Sequence, residues 1–228
     1  MQVKNHTLLD GSGNPVKYIA SPNVSAGTVS PTYIVIHYTA ASTFNSGVDW
    51  HSRKESKVSA HIHLGRAAEL VQMVPFNKKA WHAGKSSWKG LSGLNSYSIG
   101  IELQNTGTQE YTETQIKDLI EICKALVAAY PIKEIVGHSD ISPVRKVDPG
   151  KQFPMARVRR EVFGEAGSTT LHTTANLHLR RGPSTTYDSI EVLEKGSEVD
   201  VLNDNGSWSE VFVCSLKLKG WVSNKYIR

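Results

Sequence analysis

The sequence predicts an α/β domain followed by a small all-β barrel, and two observations support this division. Up to residue 163, short β-branched and aromatic runs alternate with segments of helical periodicity, which is typical of α/β domains. Beyond residue 170, short alternating segments are separated by Gly, Pro, Asn and Asp, which is typical of a small barrel. At 228 residues, the chain is long enough for both parts.

Apolar runs predict the strands of the first domain. The runs TYIVIHYT (32–39) and YSIGIELQN (97–105) are rich in β-branched and aromatic residues, and EIVGH (134–138) predicts a third strand that ends at His138. The segment HIHLGRAAELVQMVP (61–75) predicts two strands joined by a turn near Gly65 to Ala68.

Helical periodicity predicts two helices in the same domain. The clearest begins near Thr112, because Thr112 and Gln115 have the spacing of a capping box, and it ends before Pro131. Its apolar positions recur at helical spacing, at Ile116, Leu119, Ile120, Cys123, Leu126, Val127 and Tyr130. A shorter helix is expected within SGVDWHSRKES (46–56).

A change of composition marks the boundary between the two parts. The segment FGEAGSTT (163–170) is small and polar and follows the last apolar cluster of the α/β part. We therefore predict a first domain at 1–163, a linker at 164–170 and a second domain at 171–228.

Composition excludes several classes of protein. The net charge of +5 comes from scattered Lys and Arg without a basic run, so a nucleic-acid partner is not expected. No apolar run reaches the length of a membrane span, and the N-terminus has no apolar core of the signal-peptide type. The two cysteines, Cys123 and Cys214, fall in different predicted domains, so we expect buried free thiols and no disulfide.

Three residues at strand ends form a candidate metal site. His37 ends one predicted strand, His138 ends another, and Asp148 follows in a loop that contains Pro143 and Pro149. Side chains beyond the ends of neighbouring strands converge in α/β sheets, and two imidazoles with one carboxylate suit a hydrolytic Zn²⁺ site. Each histidine alone is more often structural, and the long separation of the two makes the spacing a weak signal.

Glu102 and Lys146 strengthen the hypothesis of a hydrolytic site. Glu102 lies in an otherwise apolar strand, where an ionised carboxylate needs a partner, and a metal-held water would make it a general base. Lys146 lies two residues before Asp148 and could stabilise an oxyanion. The alternatives are an ordinary salt bridge for Glu102 and a solvated loop position for Lys146.

Four ordered motifs resemble a known family. They are IVIHYTA, VSAHIHLGRAAELVQMVPFNKKAWHAG, LNSYSIGIELQNTG and VGHSDISPVRKVDPG. Together they resemble the zinc-dependent N-acetylmuramoyl-L-alanine amidases of the type 2 amidase family, which shares its fold with animal peptidoglycan recognition proteins. The similarity covers residues 20–163 and favours the branch with the muropeptide-recycling and outer-membrane amidases of Gram-negative bacteria. It implies a central mixed β-sheet flanked by helices.

The resemblance assigns roles residue by residue. It implies zinc ligands at His37, His138 and Asp148, the catalytic acid/base at Glu102 and the transition-state lysine at Lys146. Some family members have cysteine at the position of Asp148, but a carboxylate also suits zinc. The implied substrate-binding residues are Arg66, Trp81, His82 and Asn95. His61 is expected to be structural or to border the groove, His63 to have no role and His51 to lie on the surface.

The second predicted domain resembles a bacterial SH3 domain. The similarity lies in ANLHLRRGPSTTYDSIEVLEKGSEVDVL, followed by GSW and GWVSNKYI. Such domains accompany wall hydrolases and bind wall peptide or glycan. The aromatic candidates for a ligand platform are Tyr187, Trp208, Trp221 and Tyr226, although aromatics in so small a barrel are more often part of the core.

The two resemblances imply a peptidoglycan hydrolase that acts at the cell wall on the bond between N-acetylmuramic acid and L-alanine, and we expect it to be a monomer. Its partner would be bacterial peptidoglycan or a muropeptide, and the appended barrel favours the polymer. Two alternatives remain: a non-catalytic peptidoglycan-recognition protein and a stem-peptide endopeptidase. The sequence leaves open the route of export and whether the protein acts on its owner's wall, in phage lysis or on the wall of a rival.

Overall fold

The computed structural model describes residues 1–164, 170–213, 215–216 and 218–228. The chain divides into two compact units, Met1–Pro154 and Met155–Arg228. Most of the predicted linker at 164–170 lies outside the described residues, as does Cys214, and the predicted domain limits stay a prediction.

The first unit contains eleven of the described strands and three of the described helices. The helices are α1 (Phe44–His51), α2 (Glu113–Ala129) and the single turn α3 (His138–Ile141). The strands are β1 (Gln2–Lys4), β2 (Thr7–Leu9), β3 (Val24–Ser25), β4 (Tyr33–Tyr38), β5 (Ile62–Leu64), β6 (Leu70–Gln72), β7 (Lys79–Ala80), β8 (Ser87–Trp88), β9 (Leu91–Ser92), β10 (Ser98–Leu103) and β11 (Glu134–Gly137).

A five-stranded mixed sheet forms the centre of this unit, in the order β11-β4-β10-β5-β6. The first four strands run parallel, and β6 returns antiparallel to β5. Every residue of β10 is buried, and so is every residue of β4 except Tyr38. Continuous burial explains why these strands read as unbroken apolar runs in the sequence, and the predicted mixed sheet is confirmed.

The register of β10 brings three polar residues into one row. Glu102 is paired with His37 of β4 on one side and with His63 of β5 on the other. Paired residues of parallel neighbours point to the same face, about 4.8 Å apart along the row. The sheet therefore places a carboxylate between two imidazoles, one strand away from each.

Helix α2 follows the prediction, with one difference at its start. Thr112 accepts a hydrogen bond from the backbone N–H of Gln115, and the helix ends one residue before Tyr130. The side chain of Gln115 does not complete the predicted capping box, because its Nε2 donates to the carbonyls of Leu64 and Gln104. The carbonyl of Leu64, at the end of β5, also accepts from the N–H of Gln104, so Gln115 is its second donor, a use that spacing along the helix cannot reveal.

The shorter helix is placed differently from the prediction at 46–56. Helix α1 begins earlier, at Phe44, with Thr43 as its cap, and ends at His51. A separate 3₁₀ turn, Lys54–Ser56, follows. Because His51 faces the interior in the last turn of α1, its exposed fraction is 8%, and the expectation that it lies on the surface is wrong.

The second unit contains helix α4 (Met155–Phe163) and an antiparallel six-stranded sheet. Its strands are β12 (Thr170–His172), β13 (Leu177–Arg180), β14 (Ser189–Leu193), β15 (Glu198–Asp204), β16 (Trp208–Val213) and β17 (Leu218–Ser223). Its core is aliphatic, with Leu177, Leu179, Leu193, Val199, Val211, Val213, Val222 and Ile227 buried. The predicted all-β region is confirmed.

Two further features bear on the sequence predictions. Cys123 is a buried free cysteine on α2, as expected. Among the described residues, no helix combines the length and the apolarity that a membrane crossing requires.

Candidate metal centre

The three predicted ligands lie together in the structure. His37 is near the end of β4, His138 is the first residue of α3 directly after β11, and Asp148 follows in the next loop. Their exposed fractions are 2%, 3% and 7%. His37 Nδ1 is 2.9 Å from His138 Nδ1, and both nitrogens are 3.0 Å from Asp148 Oδ2. His37 thus meets two side chains that lie 101 and 111 residues further along the sequence, and the three donor atoms converge.

The hydrogen bonds of His138 show that this cluster suits a cation. His138 Nε2 donates to the carbonyl oxygen of Ala83 at 3.1 Å. In a neutral imidazole, Nδ1 then carries a lone pair, and this lone pair faces the carboxylate oxygen of Asp148. Two electron-rich atoms 3.0 Å apart repel each other in a buried site unless a positive charge lies between them. Neutral imidazole nitrogens with one carboxylate are a donor set that Zn²⁺ prefers.

The charges of the ligands agree with such a site. Burial lowers the pKa of His37 to about 4, although its contact with Asp148 acts in the opposite direction. Burial alone would raise the pKa of Asp148, but its contacts with His138 and His37 outweigh burial and lower it. His37 is therefore neutral and Asp148 ionised at neutral pH, as metal ligands require.

Backbone contacts hold the ligand loop in place. The carbonyl oxygen of Asp148 accepts from the N–H of Ser139 at 2.8 Å, which ties the third ligand to the residue after the second. Arg145 donates to the carbonyl oxygens of Ala83 and Lys85, at 2.9 and 3.1 Å. The carbonyl of Ala83 thus serves both Arg145 and His138.

A glycine permits the close approach of the two segments that carry the ligands. A Cβ at Gly137 would lie 2.7 Å from Pro149 Cδ. Only glycine therefore lets β11 pass against the proline that follows Asp148. This close packing is the physical reason for a glycine immediately before the second ligand, His138.

Glu102 is a buried carboxylate beside the ligand cluster. It is 8% exposed, and its Oε2 has no hydrogen-bond partner within the part of the chain that the structure describes. Burial, followed by the charge of Asp148, raises its pKa to about 8, while Lys146 acts in the opposite direction. A carboxyl group with a pKa near neutrality can take up and release a proton at neutral pH.

Lys146 lies in the ligand loop with its side chain half-buried. Its backbone N–H donates to the carbonyl oxygen of Ser142 at 3.0 Å, which continues the turn after α3. Its positive charge lowers the pKa of both His37 and Glu102, so the ammonium lies within electrostatic reach of both.

The four predicted substrate-binding residues occupy different surroundings. Arg66 donates to the carbonyl of Glu110, and Trp81 Nε1 donates to Ser25 Oγ at 2.8 Å. Asn95 Oδ1 accepts from the backbone N–H groups of two consecutive residues, His82 and Ala83. The ring of His82 is buried, with Nδ1 3.0 Å from His37 Nε2. Their roles towards a substrate stay a prediction.

Three further histidines are buried in the first unit. His61 accepts from the N–H of Gly100 and donates to the carbonyl of Lys78, which is a structural role. His63 Nε2 lies 2.9 Å from His51 Nδ1, and the Nδ1 of His63 has no hydrogen-bond partner among the described residues. Burial lowers the pKa of all three, so each is neutral at neutral pH.

A surface cavity of about 400 Å³ adjoins the segment that follows His37. It is lined by Thr39, Ala40, Ala41, Ser42, Ser46, Gly47, Trp50 and His51. Trp50 is half exposed and gives the cavity an aromatic wall. The lining includes none of the four residues predicted to bind substrate.

The sequence matches the profile of a known family over the region that holds this cluster. The profile of the N-acetylmuramoyl-L-alanine amidases matches residues 27–151, which is more than half of the chain and includes the three ligands and Glu102. The chain belongs to the N-acetylmuramoyl-L-alanine amidase family. A second profile, that of the bacterial SH3 domain, matches residues 175–228 of this amidase-family chain.

Curated members of the amidase family include close relatives of the first unit. AmpD of Escherichia coli K12, a 1,6-anhydro-N-acetylmuramyl-L-alanine amidase, is 49% identical over 105 residues, which cover 45% of this chain and 57% of AmpD. AmiD of the same strain, an N-acetylmuramoyl-L-alanine amidase, is 36% identical over 180 residues, which cover 71% of this chain and 63% of AmiD. The chain thus spans less than two thirds of the length of these relatives.

Solved structures of amidases have the same fold. A selenomethionine derivative of AmpD aligns with a TM-score of 0.59 at 33% identity and covers 71% of this chain and 99% of that one. AmiD from E. coli, in complex with the substrate anhydro-N-acetylmuramic acid-L-Ala-D-gamma-Glu-L-Lys, aligns with a TM-score of 0.54 at 36% identity. That alignment covers 62% of this chain and 58% of AmiD.

Sequence reasoning missed the groups that contact the ligands on the side away from their metal-facing atoms. They are the carbonyl of Ala83, the guanidinium of Arg145 and the contact between His82 and His37. Nothing in the sequence signals a backbone carbonyl as a partner. Arg145 and His82 were visible as polar residues inside the family motifs, but their directions depend on the folded chain.

Proposed function

We propose that this chain is a zinc-dependent hydrolase that cleaves the amide bond between N-acetylmuramic acid and the L-alanine of the peptidoglycan stem peptide. One observation carries the proposal. A buried carboxylate with a pKa of about 8, Glu102, is paired in register with His37, one of three converging ligand candidates. Structural ion pairs lower the pKa of a carboxyl group, whereas burial raises this one in the metal-free protein. The positive charge of a cation held by the neighbouring ligands would lower it again, so that Glu102 is ionised and can accept a proton at neutral pH.

Three residues would hold the zinc ion: His37 and His138 through Nδ1, and Asp148 through Oδ2. When bound, zinc supplies Lewis-acid polarisation of a carbonyl and lowers the pKa of water. Burial of the ligands excludes bulk solvent and so strengthens their electrostatic effect on the reacting groups.

Two side chains act in the reaction: Glu102 transfers the proton, and Lys146 stabilises the developing charge. Glu102 takes one proton from the attacking water, while the water oxygen forms a bond to the carbonyl carbon. The ammonium of Lys146 stabilises the negative charge that develops on the carbonyl oxygen. Glu102 then gives its proton to the alanine nitrogen as the C–N bond breaks. The products are a free muramoyl carboxyl group and a peptide with an N-terminal alanine.

The substrate class follows from the relatives and from the second unit. AmpD and AmiD carry amidase names that specify the bond to L-alanine, and AmiD is seen with an anhydromuramyl tripeptide. The bacterial SH3 domain at 175–228 supports attachment to wall polymer. We propose that the chain acts on peptidoglycan at the cell wall as a monomer. Arg66, Trp81 and Asn95 are the residues that we propose to border the groove.

The experiment is a digest of purified peptidoglycan, and of an anhydromuramyl peptide, by wild type and by Glu102→Gln. The zinc content of each protein is measured on the same sample. We expect about one zinc per chain in both proteins, because Glu102 is not a ligand. Wild type is expected to release peptides that begin with L-alanine, and Glu102→Gln to release none above background.

A matched control uses Glu55→Gln, which removes an exposed carboxylate from the 3₁₀ turn after α1. This variant should keep wild-type activity. Fragments cut within the stem peptide would show an endopeptidase in place of an amidase. Binding of the wall without cleavage or zinc would show a recognition protein, and either result would refute the proposal.

A further inference from the structure

A chain of three hydrogen bonds leads away from the first metal ligand into the protein. His37 Nε2 lies 3.0 Å from His82 Nδ1, and His82 Nε2 lies 3.3 Å from Ser98 Oγ. Ser98 Oγ in turn lies 2.6 Å from the carbonyl oxygen of Leu94. The side chains that form these hydrogen bonds are all buried.

The last bond of the chain fixes the position of every hydrogen before it. The carbonyl of Leu94 can only accept, so the hydroxyl of Ser98 donates to it. Towards His82, the Ser98 oxygen is then the acceptor, and His82 Nε2 carries the hydrogen. A neutral His82 therefore accepts at Nδ1, and His37 Nε2 donates to it.

This order of donors determines what His37 offers to the metal. A neutral imidazole with its hydrogen on Nε2 has a lone pair on Nδ1. That Nδ1 is the atom that faces Asp148 and His138. With the other tautomer, a hydrogen on Nδ1 would occupy the direction in which the metal binds.

The packing around His82 holds its ring in the required place. A Cβ at Gly100 would lie 2.4 Å from His82 Cγ, so the ring occupies the space that the side chain of any larger residue at position 100 would fill. The ring of His61 packs against it edge-on, with centroids 5.8 Å apart. Asn95 accepts from the backbone N–H of His82. The position is thus constrained at the ring and at the backbone.

We propose that His82 is a positioning residue for the metal, which fixes the tautomer and the ring orientation of His37, and that Ser98 and Gly100 hold His82 in this function. The inference rests on the proposed function only in requiring that zinc binds to His37. Partners of this kind orient metal-ligating histidines, and their loss weakens metal affinity about 10- to 100-fold. His82 then lies behind the ligand cluster, and its sequence-based assignment to the substrate groove is replaced by this one.

The test measures zinc affinity by competition with a chromophoric chelator, without any substrate. His82→Phe keeps a ring but removes the acceptor, and we expect its zinc affinity to fall about 10- to 100-fold. His82→Asn keeps an acceptor near the position of Nδ1 and should recover part of this loss. In ¹⁵N NMR spectra of zinc-free wild type, His37 should be the Nε2–H tautomer, and in His82→Phe a mixture of both.

The control is His63→Phe, which removes an equally buried histidine whose hydrogen bond goes to His51 and not to a ligand. It should unfold more readily than wild type but keep wild-type zinc affinity. Unchanged affinity in His82→Phe, equal losses in His82→Phe and His63→Phe, or an Nδ1–H tautomer of His37 in wild type would each overturn the inference. Failure of wild type to bind zinc would instead refute the proposed function, so the two results are distinguishable.

Discussion

Replacing Glu102 by glutamine should make the zinc-free protein less sensitive to alkaline pH. Burial and the charge of Asp148 raise the pKa of Glu102 from an ordinary value of 4.5 to about 8 in the folded protein. The folded state therefore holds this proton more tightly than the unfolded state does. The protonated Glu102 therefore makes its full contribution to the free energy of unfolding below about pH 4.5. This contribution falls as the pH rises from there, and it is lost above about pH 8.

The size of the effect follows from the pKa difference. Between about pH 6 and about pH 8, an unfolded chain has Glu102 ionised, while the folded chain keeps it protonated. Each pH unit in this window lowers the free energy of unfolding by about 1.4 kcal/mol. Wild type should therefore lose about 3 kcal/mol more than Glu102→Gln, because glutamine has no proton to release.

The assay is urea unfolding of the chelator-treated proteins at about pH 6 and about pH 9, followed by tryptophan fluorescence. The quantity compared is the change in unfolding free energy between the two pH values, so groups common to both proteins cancel. Glu55→Gln, in an exposed position, should follow wild type. An identical pH dependence in wild type and Glu102→Gln would show that Glu102 is not held protonated by its surroundings, and the reasoning would fail.

Three other substitutions test separate parts of the structure. Gly100→Ala places a Cβ 2.4 Å from the ring of His82, so the free energy of unfolding should fall by about 1–3 kcal/mol in urea, and zinc affinity should fall about tenfold in chelator competition. Wild-type values of both quantities would contradict the packing argument. Lys146→Ala should lower kcat on an anhydromuramyl peptide about 100-fold with unchanged zinc content, because it removes the stabilising charge; an unchanged kcat would place Lys146 outside the reaction. Leu119→Ala, at a fully buried position of α2, should lower the free energy of unfolding by about 2–5 kcal/mol in urea, and a loss below about 1 kcal/mol would argue against a packed core there.

The sequence predicts the central strands and the ligand cluster because both depend on local patterns. Strands buried on both faces require unbroken apolar runs, and residues that follow such strands meet at one edge of the sheet. His37 could therefore be placed at this edge without coordinates, whereas Asp148 lies in the loop after α3, and its assignment to the cluster rests on the family resemblance. His138 was also placed correctly, although it begins a short helix after its strand.

The features that sequence analysis missed depend on side-chain directions and on the folded backbone. The orientation of His82 follows from the space over Gly100, which lies eighteen positions further along the chain. Gln115 turns away from its helix terminus and donates to the carbonyls of Leu64 and Gln104, at the ends of two neighbouring strands. Burial of His51 follows from the rotation of α1 about its axis. At these three positions the local sequence favoured a different environment for the side chain, and tertiary contacts overrode that preference.

The register between β4 and β10 has a consequence for engineering this protein. The separation of Glu102 from His37 is set by backbone hydrogen bonds between adjacent strands, so lengthening or replacing surface loops leaves it unchanged. Libraries that vary loop length can therefore explore new substrates while the reactive pair keeps its spacing. A single-residue insertion within β10 ahead of Glu102 would have the opposite effect, because it would turn the carboxylate to the other face of the sheet. The tolerance of this chain to insertions is thus expected to be high in loops that carry no ligand or reacting residue, and low along β10.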